Sequence, residues 1–508
     1  MVMKEKQYYI RCLNRILEKT NKHNDFNGYI TVLEKLCKVN HIYSTTFVDD
    51  DLEKKIKEYC SENVEPIEIT KFEDETLFYD STFSDFTVLS RQYLQALIDM
   101  DKPFTYIGVL HSLQSESEQL ISKAKECDKC RLVLIKPSQN KKEIIDTIRR
   151  EIKIRCPKNI LLQMKTADVC GVVAFSNIIG SKRFFINHGD DQFWIGARFF
   201  DFYINFSNSV AQVAVEGRGI PRERNIVLQY YPVIQSHDFK GLPDGIKKEN
   251  IIIFSGGRFS KIEDGRDSFL FAIKHILEKY ANVKYIYAGS GDARHMIEFI
   301  RNNNLSEKWY VIEYRCDLYE LLCNVDIYIG TYPIKGGLMT QYAAFSGTPI
   351  IEKDDFSGFR SEELFVSAEG IRITYSEWDD FYSEIDKLIV DKKYREAISK
   401  KYQNALPNRE SFVIGLQDIF SGELSMYQSK KVDVDLNKIL TTNLLAAKYK
   451  KNEISRLMIN FVVAKYNPGL FFRESFKYLC LMDCKELKIN IRKLLCRLIG
   501  IGGSKICK

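Results

Sequence analysis

Three apolar segments in the second half of the chain each end in a turn that contains glycine, and this series constrains the fold more than any other feature. The segments are residues 251–258, 284–292 and 326–330, and the third continues into a turn at residues 332–340. Residues typical of helices follow each turn, so the repeated order of strand, turn and helix predicts a mainly parallel sheet. Glycines beyond the carboxyl ends of parallel strands let backbone N–H groups and a helix N-terminus approach an anion. The series therefore predicts a phosphate or pyrophosphate site.

The first turn places cations beside its glycines. Gly256 and Gly257 are followed by Arg258, Lys261 and Arg266. A guanidinium can hold two phosphate oxygens at once, whereas an ammonium supplies a point charge. We expect Arg258, together with Lys261 or Arg266, to bind a diphosphate. The alternative is a set of surface cations in a solvated loop.

The third turn leads directly into a helix of small and apolar residues. Its members are Gly336, Gly337, Leu338, Met339 and Thr340. A helix N-terminus carries about half a positive charge and several unpaired N–H groups, so a phosphate can bind there without a metal ion. We expect this turn to bind a phosphate, and a purely structural turn is the alternative.

The second turn contains Gly289 and Gly291 and is similar to a dinucleotide-binding fingerprint. Arg294 stands where that fingerprint has a third glycine, which argues against hydride transfer. Both glycines are expected to belong to the same anion site. Tyr314, which lies between the second and third segments of the series, completes the set of candidate binding residues.

The densest group of polar residues in the first half follows an apolar segment that ends at Ile186. It contains His188, Asp190 and Asp191. An imidazole or a carboxylate at a strand end can take a proton from a hydroxyl group or stabilise developing positive charge. We expect at least one of the three in catalysis. The alternative is a loop histidine beside an aspartate that caps the next helix.

The order and spacing of the glycine turns, which close on Gly347-Thr348-Pro349, resemble the nucleotide-sugar-binding domain of GT-B glycosyltransferases over residues 184–376. Two positions depart from the pattern of the retaining members of that family. Glu263 stands where they have a basic residue, and Tyr342, beside Gln341, stands where many have a glutamate. The resemblance therefore leaves open whether the configuration at the transferred sugar is retained or inverted.

The resemblance implies an α/β protein with two Rossmann-like, doubly wound domains that face each other across a cleft. Residues 1–240 would form the acceptor-side domain, residues 250–420 the nucleotide-sugar-binding domain, and residues 421–508 a mostly helical extension that contacts the membrane or the N-terminal domain. The implied activity is a metal-independent transfer of a hexose-type sugar from a nucleoside diphosphate sugar to an acceptor hydroxyl, with no cofactor. The implied setting is assembly of a surface polysaccharide or glycoconjugate, with a glycan, a lipid-linked molecule or a protein as acceptor.

Two other functions remain compatible with the same resemblance. One is a nucleotide-sugar epimerase of the same fold, which would need no acceptor site. The other is a catalytically silent scaffold that partners another transferase, and the absent glutamate keeps this interpretation open.

Composition limits the broad class of the protein. With 508 residues, of which 45% are hydrophobic and 28% charged, the chain is typical of a soluble protein with two or three domains. The net charge of +6 is small for this length and does not indicate a nucleic-acid partner. The 13 cysteines are scattered and odd in number, which predicts free thiols and a cytoplasmic location. The paired aspartates at 49–51, 190–191 and 354–355 suggest metal binding, but the glycine turns already provide an anion site, so we expect no metal.

In the first half, apolar segments of strand length alternate with helix-like segments between residues 26 and 240. The predicted strands are residues 41–48, 64–70, 104–111, 131–136, 159–165, 171–177, 184–188, 201–207 and 225–232, and the predicted helices include residues 116–127 and 141–154. A polar stretch with glycine and proline, residues 235–250, predicts an interdomain linker.

The C-terminal residues have the pattern of a basic amphipathic helix. Apolar residues at positions 487, 491, 494, 495 and 498 share one helical face, while basic residues at 485, 488, 492, 493 and 497 lie mostly elsewhere. Such a helix can lie on an anionic membrane, and the alternative is packing against its own domain. No run of about 18 apolar residues is present, so we predict a protein that is free in the cytoplasm or bound peripherally to the inner face of the plasma membrane.

Overall fold

Two parallel sheets organise the chain in the computed structural model. It describes residues 2–83, 87–110, 115–136, 140–189, 191–354, 358–367, 369–447 and 451–480. Three helices precede the first strand: α1 (Val2–Lys22), α2 (Phe26–Tyr43) and α3 (Asp50–Asn63). They pack on the first sheet and share a core with it.

The first sheet has seven parallel strands among the described residues, with β1 and β6 pairing separately. The strands are β1 (Ile67–Glu68), β2 (Glu73–Asp80), β3 (Phe104–Val109), β4 (Cys130–Ile135), β5 (Pro157–Gln163), β6 (Ile178–Ile179), β7 (Lys182–Ile186), β8 (Phe202–Asn205) and β9 (Asn225–Val227), and the sheet order is β4-β3-β2-β5-β7-β8-β9. The helices between them are α4 (Thr87–Asp99), α5 (Ser115–Glu126), α6 (Lys141–Arg155), α7 (Val169–Ala174) and α8 (Asn208–Arg218). Every residue of β3 is buried, as expected for a parallel strand covered on both faces.

The second sheet has six parallel strands among the described residues, in the order β12-β11-β10-β13-β14-β15. The strands are β10 (Ile251–Arg258), β11 (Val283–Ser290), β12 (Trp309–Glu313), β13 (Ile327–Ile329), β14 (Ile350–Lys353) and β15 (Thr374–Tyr375). The associated helices are α9 (Ser268–Lys279), α10 (Arg294–Asn302), α11 (Leu318–Leu322), α12 (Gly337–Ser346), α13 (Trp378–Val390) and α14 (Lys392–Ala405). The order reverses at β10, where a ligand crevice is expected at the carboxyl ends of the strands.

After the second sheet the chain returns to the first. Helix α15 (Arg409–Ser421) packs on the first sheet, where the ring of Phe420 lies 5.5 Å from that of Phe184 and Arg409 pairs with Asp99. The remaining described helices are α16 (Leu436–Ala447), α17 (Lys451–Met458), α18 (Phe461–Tyr466) and α19 (Pro468–Cys480). They pack with α1 and α2, so helices early and late in the described sequence form one helical layer.

The predicted fold class is confirmed, with two parallel α/β sheets and a helical C-terminal region. Predicted helices at 116–127 and 141–154 correspond to α5 and α6, and residues 235–250, all described, contain no helix or strand. The domain boundaries themselves stay a prediction. The basic amphipathic helix predicted around residues 485–498 lies outside the described residues. Among the helices that are described, none has the length and apolar character needed to span a membrane.

Two predicted strands are wrong, and one central strand was missed. Residues 41–48 were predicted as a strand, but α2 continues to Tyr43 because Leu33, Leu36 and Cys37 recur at helical spacing and are all buried. Residues 171–174 of the predicted strand 171–177 lie in α7 instead, because the side chain of Asp168 accepts a hydrogen bond from the N–H of Gly171 and caps a helix that is buried on all sides. The missed strand is β2, whose first residues are acidic and exposed although its second half is buried. Only Asn225–Val227 of the predicted strand 225–232 pairs in the sheet.

Candidate functional site

The first two glycine turns meet at the carboxyl edge of the second sheet. Gly257 on β10 pairs with Gly289 on β11. A Cβ atom added to Gly289 would lie 2.4 Å from the carbonyl oxygen of Gly257, so this position admits only glycine. Gly289 therefore serves the close approach of the two strands. Gly291, with a φ of +104°, has open space around it.

The first and third turns are joined by Lys261. Its Nζ atom donates a hydrogen bond of 3.1 Å to the carbonyl oxygen of Lys335, and a Cβ atom added to Gly336 would lie 3.4 Å from that Nζ. Gly336 is the residue before α12, so an ammonium group lies beside the N-terminus of this helix. The sequence predicts a cation and a helix N-terminus as two separate positive features. In the structure they lie side by side.

The other candidate binding residues occupy different positions around this edge. Arg258 is exposed at the end of β10, one residue after Gly256 and Gly257. Arg266 is exposed in the turn before α9, where its backbone N–H donates to Asp264. Tyr314 is 61% exposed just beyond β12, an edge strand. The structure therefore places Lys261, rather than Arg266, at the turn before α12.

The first turn of α12 is hydrogen-bonded to a buried carboxyl group, Glu352, which sequence reasoning missed. The hydroxyl of Thr340 donates to Glu352 Oε1 at 2.6 Å, and the hydroxyl of Ser361 donates to Oε2 at 2.5 Å. Glu352 is fully buried, and burial raises its pKa even though nearby Lys335 opposes the shift. The signal in the sequence was an acidic residue after two isoleucines of a buried strand. Gly337, Leu338 and Met339 complete this turn, with Met339 packed into the adjoining core.

Gln341 and Tyr342 contact the segment that connects the two halves. The side-chain amide of Gln341 donates to the carbonyl oxygen of Tyr230 at 2.7 Å. The hydroxyl of Tyr342 donates to the carbonyl oxygen of Val233 at 3.3 Å. Tyr342 is the position where the sequence departs from the glutamate pattern of retaining enzymes, and Gln341 is beside it. Here they tie α12 to the connecting segment.

Gly289 lies against backbone, whereas Gly336 lies against the end of the Lys261 side chain, which predicts different outcomes for two substitutions. Gly289→Ala should lower the free energy of unfolding by about 1–3 kcal/mol, because backbone atoms cannot move away from the new methyl group. Gly336→Ala should leave stability nearly unchanged, since its φ of −129° suits any residue, but should disturb Lys261 and weaken binding of a nucleoside diphosphate. Urea unfolding and calorimetry measure the two effects. Equal stability of both variants would contradict this difference.

On the first sheet, His188 follows the carboxyl end of β7. Its Nδ1 lies 3.3 Å from the carbonyl oxygen of Ile186. A carbonyl oxygen only accepts, so this hydrogen bond places the proton on Nδ1 and makes Nε2 the basic nitrogen. Burial lowers the pKa of His188, which keeps the imidazole neutral at pH 7. Asp190 lies outside the described residues, and the carbonyl oxygen of Asp191 accepts a hydrogen bond from Asn443 on α16.

The loop after His188 is fixed by a buried arginine that the sequence did not reveal. Nη2 of Arg218 on α8 donates to the carbonyl oxygens of Gly189 and Gln192 at 2.9 and 2.6 Å. Its guanidinium lies 4.7 Å from the centre of the Trp194 ring, at cation–π distance. Because Arg218 is fully buried, these contacts hold the backbone on both sides of the aspartates in one arrangement.

A buried glutamate on α3 holds the far end of the same loop. Oε1 of Glu53 accepts hydrogen bonds from the N–H groups of Gly196 and Ala197 at 2.8 and 3.0 Å. Burial raises the pKa of Glu53 to about 7, although those hydrogen bonds oppose the shift. Helices α3, α8 and α16 thus hold a single loop at the edge of the first sheet.

The raised pKa of Glu53 predicts a stability that falls with pH. The folded protein binds this proton more tightly than the unfolded chain, so the contribution is fully present below pH 4.5 and is lost as the pH rises through about 7. The shift corresponds to about 3 kcal/mol. Glu53→Gln keeps an acceptor oxygen but cannot ionise, so its urea midpoint should change less than that of the wild type between pH 5.5 and pH 8. An identical pH dependence of the two proteins would contradict this assignment.

His188 and Lys261 lie at the carboxyl edges of the two sheets, and these edges face each other. The N–H of Ser209, at the start of α8, donates to a carboxylate oxygen of Glu363 at 2.9 Å. The rings of Phe206 and Phe359 are 5.1 Å apart. Residues just beyond β8 thus contact residues beyond β14, so the carboxyl edges of the two sheets meet across this contact. His188 follows β7, the neighbour of β8, and Lys261 lies at the opposing edge.

Within the part of the chain that the structure describes, no group of three or more histidine, cysteine, aspartate or glutamate side chains is arranged to hold a metal ion. Two of the aspartates at 49–51 have other partners: Asp49 caps α3 and Asp50 pairs with Arg198.

Comparison with protein-family models gave no match, and neither did comparison with curated proteins. Solved structures do match. A mutant O-GlcNAc transferase of Thermobaculum terrenum is 12% identical, with 83% of this chain and 79% of that chain covered and a TM-score of 0.52. Anabaena HepE in complex with UDP and glucose is 14% identical over 69% of this chain and 100% of that one, at a TM-score of 0.51. A glycosyltransferase of Rickettsia africae is 13% identical, with 70% of this chain and 99% of that chain covered and a TM-score of 0.52. These likenesses, together with two parallel sheets whose carboxyl edges meet, show that the protein has a GT-B, glycosyltransferase-like fold.

Proposed function

We propose that the protein is a glycosyltransferase that moves a sugar from a nucleoside diphosphate sugar to an acceptor hydroxyl. The observation that carries this proposal is the position of the Lys261 ammonium group beside Gly336, at the N-terminus of α12. A cation and a helix N-terminus at the carboxyl edge of a parallel sheet suit a diphosphate. The similar fold of HepE, solved with UDP and glucose, supports the same class of ligand.

In the proposed reaction, the bond between the anomeric carbon and the diphosphate oxygen breaks and the diphosphate leaves with the electron pair. Lys261, Arg258 and the N–H groups at the start of α12 stabilise the negative charge that develops on it. The acceptor oxygen forms the new bond to the anomeric carbon. In an inverting transfer, Nε2 of neutral His188 or a neighbouring aspartate takes the hydroxyl proton. In a retaining transfer the same loop stabilises the cationic sugar, and an oxygen of the departing diphosphate takes the hydroxyl proton.

The wider setting is also a proposal. We place the enzyme in the cytoplasm, acting in the assembly of a surface polysaccharide or glycoconjugate on a glycan, a lipid-linked molecule or a protein. The basic residues between 485 and 497 would draw it to the inner face of the plasma membrane.

A thermal-shift screen against nucleoside diphosphates and their sugars tests the donor class, because a ligand bound at 100 times its Kd stabilises the folded state by about 2.7 kcal/mol. The donor that is found is then supplied with a radioactive sugar and an extract of acceptors. A labelled acceptor supports transfer. An epimerised free donor establishes the epimerase instead, and an unchanged donor with intact binding favours the scaffold.

The proposed diphosphate site predicts activity without divalent metal. Lys261 and the N-terminus of α12 already neutralise the leaving group, so transfer should continue after exhaustive treatment with EDTA. The measurement is the initial rate before and after chelation, with a metal-dependent glycosyltransferase as the control. Complete loss of the rate, restored by Mn²⁺ or Mg²⁺, would disprove this part of the mechanism.

A further inference from the structure

The last described helix, α19, presents two phenylalanines to solvent. Phe472 is 66% exposed and Phe476 is 70% exposed. They are four residues apart and therefore lie on the same side of the helix. Arg473 and Lys477 follow them and are also exposed. We call these four residues the α19 face.

The orientation of α19 is set by Glu474, which is fully buried. Its Oε2 atom accepts hydrogen bonds from the hydroxyls of Tyr9 on α1 and Ser455 on α17, at 3.0 and 2.8 Å. Burial alone would raise the pKa of Glu474, but hydrogen bonds from Ser455 and Arg473 outweigh it and the pKa is lowered. The carboxylate is thus ionised and anchored inward. Phe472 and Phe476, each two positions away, lie on the other side of the helix and cannot turn inward without breaking these contacts.

Arg473 and Lys477 are exposed, and both also pair with the buried carboxylate of Glu474. Nη2 of Arg473 lies 2.5 Å from Glu474 Oε1, and Nζ of Lys477 lies 3.3 Å from the same atom. Much of their charge is therefore balanced within the helix. The aromatic rings, by contrast, keep most of their surface in water, which costs about 25 cal/mol for each Å² of apolar area left unburied.

The chain directly after α19 is strongly basic. Residues 481–508 contain seven lysines and arginines and two acidic residues, whereas the whole protein has a net charge of only +6. Positive charge is thus concentrated in the sequence that directly follows the helix carrying the two exposed aromatic rings. Aromatic side chains beside excess Lys and Arg are the combination that binds the boundary between headgroups and acyl chains in anionic membranes.

We propose that the α19 face docks on an anionic phospholipid surface. Phe472 and Phe476 insert at the boundary between headgroups and acyl chains. Arg473 and Lys477 share the single carboxylate of Glu474, so one positive charge remains to attract lipid phosphates. The basic sequence that follows adds to the preference for an anionic surface. The helical layer formed by α1, α2 and α16–α19 then holds the rest of the protein at the membrane. This proposal does not depend on glycosyl transfer, because vesicle binding is measured without a sugar donor.

The test is sedimentation of the full-length protein with vesicles of phosphatidylcholine, with and without phosphatidylglycerol. The wild type should bind only the anionic vesicles, and Phe472→Ser/Phe476→Ser should weaken binding by about tenfold or more. Phe271→Ser/Val390→Ser removes two apolar side chains that are 53% and 72% exposed elsewhere, and should bind like the wild type. Wild-type binding by the α19 double variant, or no binding by the wild type, would overturn the proposal.

A second measurement establishes whether the α19 face is free in the full chain. Phe476→Trp should add fluorescence typical of a water-exposed tryptophan, obtained as the difference from the wild type, and this emission should shift to shorter wavelength with anionic vesicles. Emission already at short wavelength in buffer would show that the chain itself covers the face and would overturn the proposal. Circular dichroism confirms folding of each variant, and nucleotide thermal shifts should be unchanged in all of them.

Discussion

His188→Ala lowers the turnover number by about 10²–10⁴-fold and leaves nucleotide affinity near that of the wild type. This is the expected result because His188 lies at the edge of the first sheet, whereas the proposed diphosphate site lies on the second. The hydrogen bond from Nδ1 to the carbonyl oxygen of Ile186 orients Nε2 as the base. Steady-state rates with saturating donor, together with calorimetric nucleotide binding, measure the two quantities separately.

The pH dependence of the rate provides the sharper check. Burial lowers the pKa of His188, so the wild-type rate should fall only below the ordinary histidine pKa of about 6.5, where the imidazole becomes protonated. His188→Ala should lose this acidic limb. Asp190→Ala and Asp191→Ala are the matched variants, since they alter the same loop without removing the imidazole. If either shows the loss and His188→Ala does not, that aspartate is the base; near-wild-type turnover in all three folded variants would exclude the loop from the mechanism.

Loss of the Lys261 charge should weaken binding of a nucleoside diphosphate by about 1.5–3 kcal/mol, or about 10- to 150-fold in Kd. Lys261→Met suits this test because it removes the ammonium but keeps an unbranched stem beside Gly257. The ammonium is expected to matter because it lies beside Gly336 at the N-terminus of α12. Isothermal calorimetry with the nucleoside diphosphate measures the change.

Two arginines serve as comparisons for Lys261. Arg258→Ala is expected to weaken binding in the same range, because Arg258 lies at the end of β10 beside the glycine turn. Arg266→Ala should have a smaller effect, since Arg266 is exposed in the turn before α9. A larger loss for Arg266→Ala than for Lys261→Met would reverse this assignment. Unchanged affinity in all three variants would exclude the diphosphate site.

Most of the second half could be predicted from the sequence because its signals are local. Strands β10, β11 and β13 are short apolar runs that end in glycine turns, and the helices after β10 and β11 have clear periodicity. Of the two strand predictions that failed in the first half, the one at residues 171–177 failed because burial there is uniform. Helix α7 has six buried residues, so its sequence lacks the polar face that separates a helix from a buried strand.

The sequence by itself determined the class of fold and the glycine turns, because backbone conformation and strand–turn–helix order depend on neighbouring residues. Only the tertiary structure decided which distant residues share a site. It placed Lys261 at Gly336, separated by 75 positions in the chain, and it brought Glu352 beneath Thr340. It also revealed Arg218 and Glu53 as supports of the His188 loop. These are single charged residues with no local pattern, and their roles arise from burial and from contacts that exist only once the chain has folded.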